Sequence, residues 1–191
     1  MSRRYQCIAL AYFYTGARNS ELRLVKLTDC EMRGSEVIIR IHGKGRRERF
    51  VSMPAEIYHD ARTIFRGNVY LFETAQGRPY SRSMINNELT RQSSRTHRIH
   101  IHTLRHSAAM YQVGRGISIE RVSKYLGHSS ASTTATYYLH GDAPSAREQG
   151  FGEVGSILVS IEAARKQRKQ SRSPWRRHNG RGSFQRGLAR G

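Results

Sequence analysis

Acidic side chains are what this chain has least of. Only 14 Asp and Glu stand against 33 Lys and Arg in 191 residues, a formal charge of +19. So basic a protein seeks polyanions: DNA, RNA or an acidic membrane. No apolar run approaches the length of a membrane-spanning helix and the N-terminus does not read as a signal peptide, which makes membrane the weakest of the three. Cysteine is scarce as well. Cys7 and Cys30 lie in apolar or strand-like contexts, which suits two reduced core thiols in a cytosolic protein and not a disulfide framework. No Asp/Glu cluster able to hold a pair of divalent metals is present, and no internal repeat.

What is present divides unevenly. Hydrophobic residues make up 37%, enough for one domain with a core plus appendages. Ten of the 33 basic residues fall between Arg165 and Gly191, a stretch with no acid and repeated Arg-Gly pairs. Residues 163–191 are therefore expected to be a disordered basic tail and residues 1–162 a folded domain.

Within that domain the pattern predicts an α+β fold, mostly helical, with a small antiparallel sheet or hairpin near the N-terminus. Tyr5 to Thr15 reads as a helix ended by Gly16, and Asn19 as the cap of a short helix through Lys26. Val37, Ile39 and Ile41 alternate at strand spacing, Gly43 to Arg46 forms a basic turn, and Arg49 to Met53 returns as a second strand. Further helices are expected over Ala55–Phe65 behind Pro54, over Ser83–Ser94, and over Leu104–Val113 closed by Gly114. Two more follow, one from the Ser118 cap to the Gly127 stop and one from Ser132 that carries Tyr137.

Two arginines, a lysine, two histidines and a tyrosine recur in contexts that suit metal-free phosphodiester cleavage. Arg18 and Arg105 are permanently charged and can each grip two phosphate oxygens. Tyr137 supplies a nucleophile once nearby cations favour its phenolate. Lys44, on the hairpin tip, can protonate the departing 5′ oxygen. His102 and His128 complete the catalytic set. His106 is read as a supporting residue, and Arg46, Arg47, Arg49, Arg95 and Arg98 as DNA contacts. His97, His100, His102 and His106 form a dense cluster, but no Cys or carboxylate partner is close and His102 is read as preceding its helix. Zinc is therefore set aside, and no metal or other cofactor is expected.

These motifs, in order, resemble the catalytic domain of the tyrosine recombinases, the phage integrase and Xer group. Thr15-Gly16-Ala17-Arg18-Asn19-Ser20-Glu21-Leu22 is similar to the family's first arginine box, which implies a supporting role for Glu21, and Gly43-Lys44-Gly45-Arg46-Arg47-Glu48-Arg49 is similar to its lysine hairpin. His102-Thr103-Leu104-Arg105-His106 resembles its His-x-x-Arg box, Leu126-Gly127-His128 the next box, and Ser132 to Tyr137 its nucleophile segment. The resemblance covers roughly residues 5–141. It implies a site-specific DNA recombinase or integrase with type IB topoisomerase-like chemistry, working through a 3′-phosphotyrosyl link without metal or ATP. It also implies a double-stranded DNA partner, a homotetramer on DNA that is monomeric or weakly associated when free, and a cytoplasmic, nucleoid-associated location. The segment after the tyrosine, Ile157 to Ala164, is expected to pack on a neighbouring protomer.

The family usually carries an N-terminal helical domain that completes a clamp on DNA. This chain begins a few residues before its first helix, so that domain is expected to be absent. Tyr138 follows Tyr137, and neighbours on a helix point about 100° apart, so only one can face the phosphate; spacing from His128 favours Tyr137. Two other readings stand beside this one. Ser118 to Tyr138 resembles a helix-turn-helix reader, so the chain could bind DNA without cutting it, or act as a truncated decoy. A general nucleic-acid or RNA chaperone explains only the charge.

Overall fold

The computed structural model describes residues 2–43, 48–92 and 99–127. Lys44, Arg46, Arg47, Arg95, Arg98, His128, Tyr137 and the 163–191 tail lie outside them, as does the helix expected from Ser132. In chain order the described residues form α1 (Arg3–Thr15), α2 (Asn19–Leu22), a 3-10 turn (Leu27–Asp29), β1 (Cys30–Arg33), β2 (Glu36–His42) and β3 (Glu48–Pro54). Then come α3 (Ala55–Phe65), α4 (Arg82–Gln92), α5 (Ile101–Gly114) and α6 (Ile119–Leu126). This is the mostly helical α+β arrangement that the sequence predicts.

Helix α1 runs through the centre. Its Tyr5, Ile8, Ala11 and Tyr12 are fully buried, and α3, α4, α5 and β3 pack around it. A helix apolar on every side has to be a core helix. Ser2 caps its start by accepting the Tyr5 N–H, and Gly16 ends it in the left-handed conformation at φ 57°. That glycine is required twice over. A Cβ there would stand 2.6 Å from Leu126 Cδ2, so only glycine lets the Thr15-Gly16-Ala17 turn lie against α6.

The sheet is antiparallel in the order β1-β2-β3. Val37, Ile39 and Ile41 face the core, opposite Met53, Val51 and Arg49 of β3. Strand β1 was not legible in the sequence. It is four residues long, lies at the edge and is mostly exposed, so no apolar alternation announces it.

Other boundaries shift for local reasons. Helix α2 ends at Leu22, not Lys26, because the chain turns into a bridge with the 69–71 segment: Leu71 N–H donates to the Val25 carbonyl and Leu27 N–H to that of Val69. Its N-cap is Arg18, not Asn19. Helix α5 begins at Ile101, whose side chain is buried, so His102 lies in the first turn of the helix and not before it. The same helix continues through Gly114, with Arg115 as its C-cap. Helix α6 follows the expected signals: Ser118 accepts the Arg121 N–H, Val122 and Leu126 pack on Ala109, and Gly127 stops it at φ 70°.

Candidate active site

The C-terminal end of α6 is where distant parts of the chain meet. A helix ends with carbonyls that have no partner inside it and with the negative end of its dipole. Three consecutive carbonyls there are each taken by an arginine. Arg49 Nε donates to Tyr125 O at 2.9 Å, Arg105 Nη2 to Leu126 O at 2.7 Å, and Arg18 Nη2 to Gly127 O at 3.1 Å. The arginines come from β3, from α5 and from the turn after α1. The second amino group of Arg105 donates to the Gly16 carbonyl, so Arg105 ties the Thr15-Gly16-Ala17 turn to the end of α6.

One carboxylate lies among these three guanidiniums. Glu21 Oε2 accepts the Arg18 backbone N–H at 2.8 Å, and Oε1 accepts Arg18 Nη1 at 3.0 Å. Arg49 grips the same carboxylate with both amino groups, at 3.0 and 2.7 Å. Burial by itself would raise the Glu21 pKa. The Arg49 contact, the Arg18 N–H and the charges of both arginines outweigh it and pull the group down to about 2. The Glu21 side chain is 5% exposed and that of Arg49 13%, whereas that of Arg18 is 42% exposed. Arg105 is buried, and burial followed by repulsion from Arg18 and Arg49 lowers its pKa to about 10, where it is still a cation at neutral pH. Three cations against one anion leave the pocket short of negative charge. Such a pocket suits an anion, and its donors are already oriented.

Of the residues expected at the site, the structure brings Arg18, Glu21 and Arg105 together. His102 and His106 stand four residues apart on α5, both at exposed positions. Desolvation lowers the His106 pKa. Among the described residues no group of three His, Cys, Asp or Glu is placed to hold a metal ion. Arg49 departs from its expected role as a DNA contact: its guanidinium is turned inward onto Glu21 and the Tyr125 carbonyl. Strand parity carried that signal, since Arg49 falls in step with the buried Val51 and Met53.

Tyr125 was also missed. Its hydroxyl donates to the Tyr14 carbonyl at 2.9 Å and accepts the Ser52 N–H at 3.2 Å, which fixes α6 to α1 and β3. The hairpin base is held from the other face of the sheet. His42 Nε2 lies 3.1 Å from Asp29 Oδ1, and its Nδ1 lies 3.0 Å from Glu48.

The phage integrase family model matches residues 1–143. A tyrosine recombinase XerC of Bacillus pumilus is 30% identical over 154 residues, covering 72% of this chain and 50% of the relative. A probable integrase/recombinase of Methanocaldococcus jannaschii is 32% identical over 138 residues, covering 64% of this chain and 42% of its own length. The chain thus spans about half the length of the relatives it matches. Among solved structures, XerH site-specific recombinase bound to its difH substrate before cleavage superposes with a TM-score of 0.61 at 24% identity, covering 72% of this chain and 44% of that one. XerA recombinase superposes with a TM-score of 0.60 at 22% identity, covering 91% and 64%. These likenesses establish the fold as that of tyrosine recombinase catalytic domains.

Proposed function

This chain belongs to the phage integrase family, and from that premise we propose that it breaks and rejoins double-stranded DNA through a 3′-phosphotyrosyl intermediate. The Tyr137 oxygen attacks the scissile phosphorus, and the bond from phosphorus to the 5′ oxygen breaks. Lys44 gives its proton to that leaving oxygen. Arg18 and Arg105 hold the two non-bridging oxygens, and His102 and His128 donate further hydrogen bonds to them. A 5′ hydroxyl then displaces the tyrosine and reseals the strand, so the phosphodiester energy is kept in the link and no nucleotide is consumed. Exchange between two duplexes calls for four copies on DNA.

The observation that carries this reading is the convergence of Arg18 and Arg105 on adjacent carbonyls of the residues immediately before His128. Arg18 and Arg105 stand 87 residues apart in the chain, yet the anchors of their guanidiniums are neighbours. Relatives named as tyrosine recombinases, and the XerH site-specific recombinase bound to its difH substrate, support DNA as the partner.

The test is covalent capture. The full chain is incubated with a library of singly nicked duplexes with a randomised centre, which lose the 5′ fragment after cutting, and protein-linked DNA is recovered and sequenced. An adduct that survives chelator, disappears in Tyr137→Phe and persists in Tyr138→Phe is expected. Arg105→Lys keeps the charge but loses the two-oxygen grip, and the adduct rate should drop about a hundredfold or more. DNA bound tightly with no adduct under any condition would leave a binding protein and end the enzymatic reading.

A further inference from the structure

Arg49 has no role in the chemistry just described, yet it is the most fully engaged side chain in the pocket. It donates to both oxygens of Glu21 and to the Tyr125 carbonyl. Space is reserved for it. A Cβ on Gly127 would stand 3.0 Å from Arg49 Nη1 and 3.1 Å from Cδ and Cζ, so the glycine that stops α6 also makes room for this guanidinium. Arg49 lies in the strand that returns from the hairpin tip, opposite Ile41 of β2. It therefore joins three things: the strand leading from Lys44, the carboxylate that orients Arg18, and the helix end that precedes His128.

The geometry points to Arg49 as a positioning residue. It acts through Glu21 and the end of α6 to set Arg18 against the phosphate, with β3 locked in the same frame. Lysine cannot replace it. One ammonium has no planar fork to hold two carboxylate oxygens while also reaching a carbonyl on another element. This inference rests on the recombinase reading, since the groups it places are those assigned to cleavage.

The test compares wild type, Arg49→Lys and the double variant Arg49→Met/Glu21→Gln, which removes the charge pair together and leaves no lone buried ion. Three quantities are read on the full chain. These are thermal unfolding, the titration of Glu21 by carboxylate NMR with the Glu21→Gln spectrum as its assignment, and the single-turnover adduct rate on duplexes captured as above. For folded Arg49→Lys the adduct rate should fall about tenfold or more while DNA affinity changes less than about threefold. Its Glu21 should titrate above the wild-type value, and the ratio of variant to wild-type rate should fall further as pH is lowered from 7 toward 5. The groups facing Glu21 are the guanidiniums of Arg18, Arg49 and Arg105. The double variant, which lacks the carboxylate, separates its contribution to the slope from that of His102 and His128, the imidazoles placed on the phosphate. In the double variant the rate should be low but the slope absent.

A folded Arg49→Lys with wild-type Glu21 titration and rate would overturn the inference. So would a rate loss matched by global unfolding and restored by cooling, which would make Arg49 merely structural. A wild-type protein that forms no adduct sinks the recombinase reading instead. The Glu21 titration, which needs no turnover, then decides separately whether Arg49 controls that carboxylate.

Discussion

Glu21 and Asp29 each turn one carboxylate oxygen back to a backbone N–H three residues earlier, that of Arg18 at 2.8 Å and that of Lys26 at 3.1 Å. Both follow a residue in extended backbone, both are buried, and both have their pKa lowered despite burial because cations reach them. Their surroundings differ. Glu21 is held by the fork of Arg49, itself almost buried, and by Arg18. Asp29 is reached by Arg40 and His42, both about half exposed. One local device thus does two jobs. Inside the pocket it fixes an arginine whose side chain is still 42% exposed and so reachable by an anion; at the sheet edge it staples the base of a hairpin.

The largest way to break this comparison is Glu21→Ala. It leaves Arg49 buried without its counter-charge and should destabilise the fold by roughly 3–5 kcal/mol, read by denaturant unfolding. Acid probes the same pair without mutation. Glu21 is lowered from 4.5 to about 2, so the folded state binds its proton less readily than the unfolded chain. The stabilisation is fully present above pH 4.5, is on the order of 3 kcal/mol, and is lost as pH falls toward 2. Unfolding midpoints across that window should drop steeply in wild type and much less in Glu21→Gln.

Gly127→Ala should cost roughly 1–3 kcal/mol, because alanine is strained at φ 70° and its methyl presses on Arg49. It should also slow adduct formation, since that push falls on the partner of Glu21. The smallest effects belong to the pairs whose cations solvent reaches. Asp29→Asn keeps an acceptor for the Lys26 N–H and loses only half-exposed cations, so about 1 kcal/mol or less is expected. Glu31→Gln, which breaks an exposed contact to Arg33, should leave the unfolding midpoint unchanged. An Asp29 variant as damaging as the Glu21 variant would erase the distinction between the two sites.

Periodicity and stop signals made most of the fold readable. Tyr5 to Thr15 before Gly16, the alternation of Val37, Ile39 and Ile41, the helix behind Pro54 and the helix between Ser118 and Gly127 all stand as expected. The 30–33 strand did not announce itself, because an exposed edge strand needs no apolar face. The start of α5 was misplaced because Ile101 stands among Arg98, His100 and His102, although burial makes it the first residue of the helix. Arg18, Glu21 and Arg105 were legible because they sit in two short motifs, Thr15 to Leu22 and His102 to His106. Arg49 was misread as a surface contact because charge near a hairpin tip suggested solvent, while its parity with Val51 and Met53 pointed inward.

Composition, short motifs and period are local properties, and by themselves they determined that this chain is a basic, mostly helical domain of the phage integrase type with particular arginines of interest. Which arginine faces an incoming anion and which is spent on holding the others depends on partners up to 109 residues apart in the chain. Only the tertiary structure decided that, because a guanidinium's role is set by the acceptors that surround it, and those acceptors are the unpaired carbonyls at the end of a helix assembled from elsewhere.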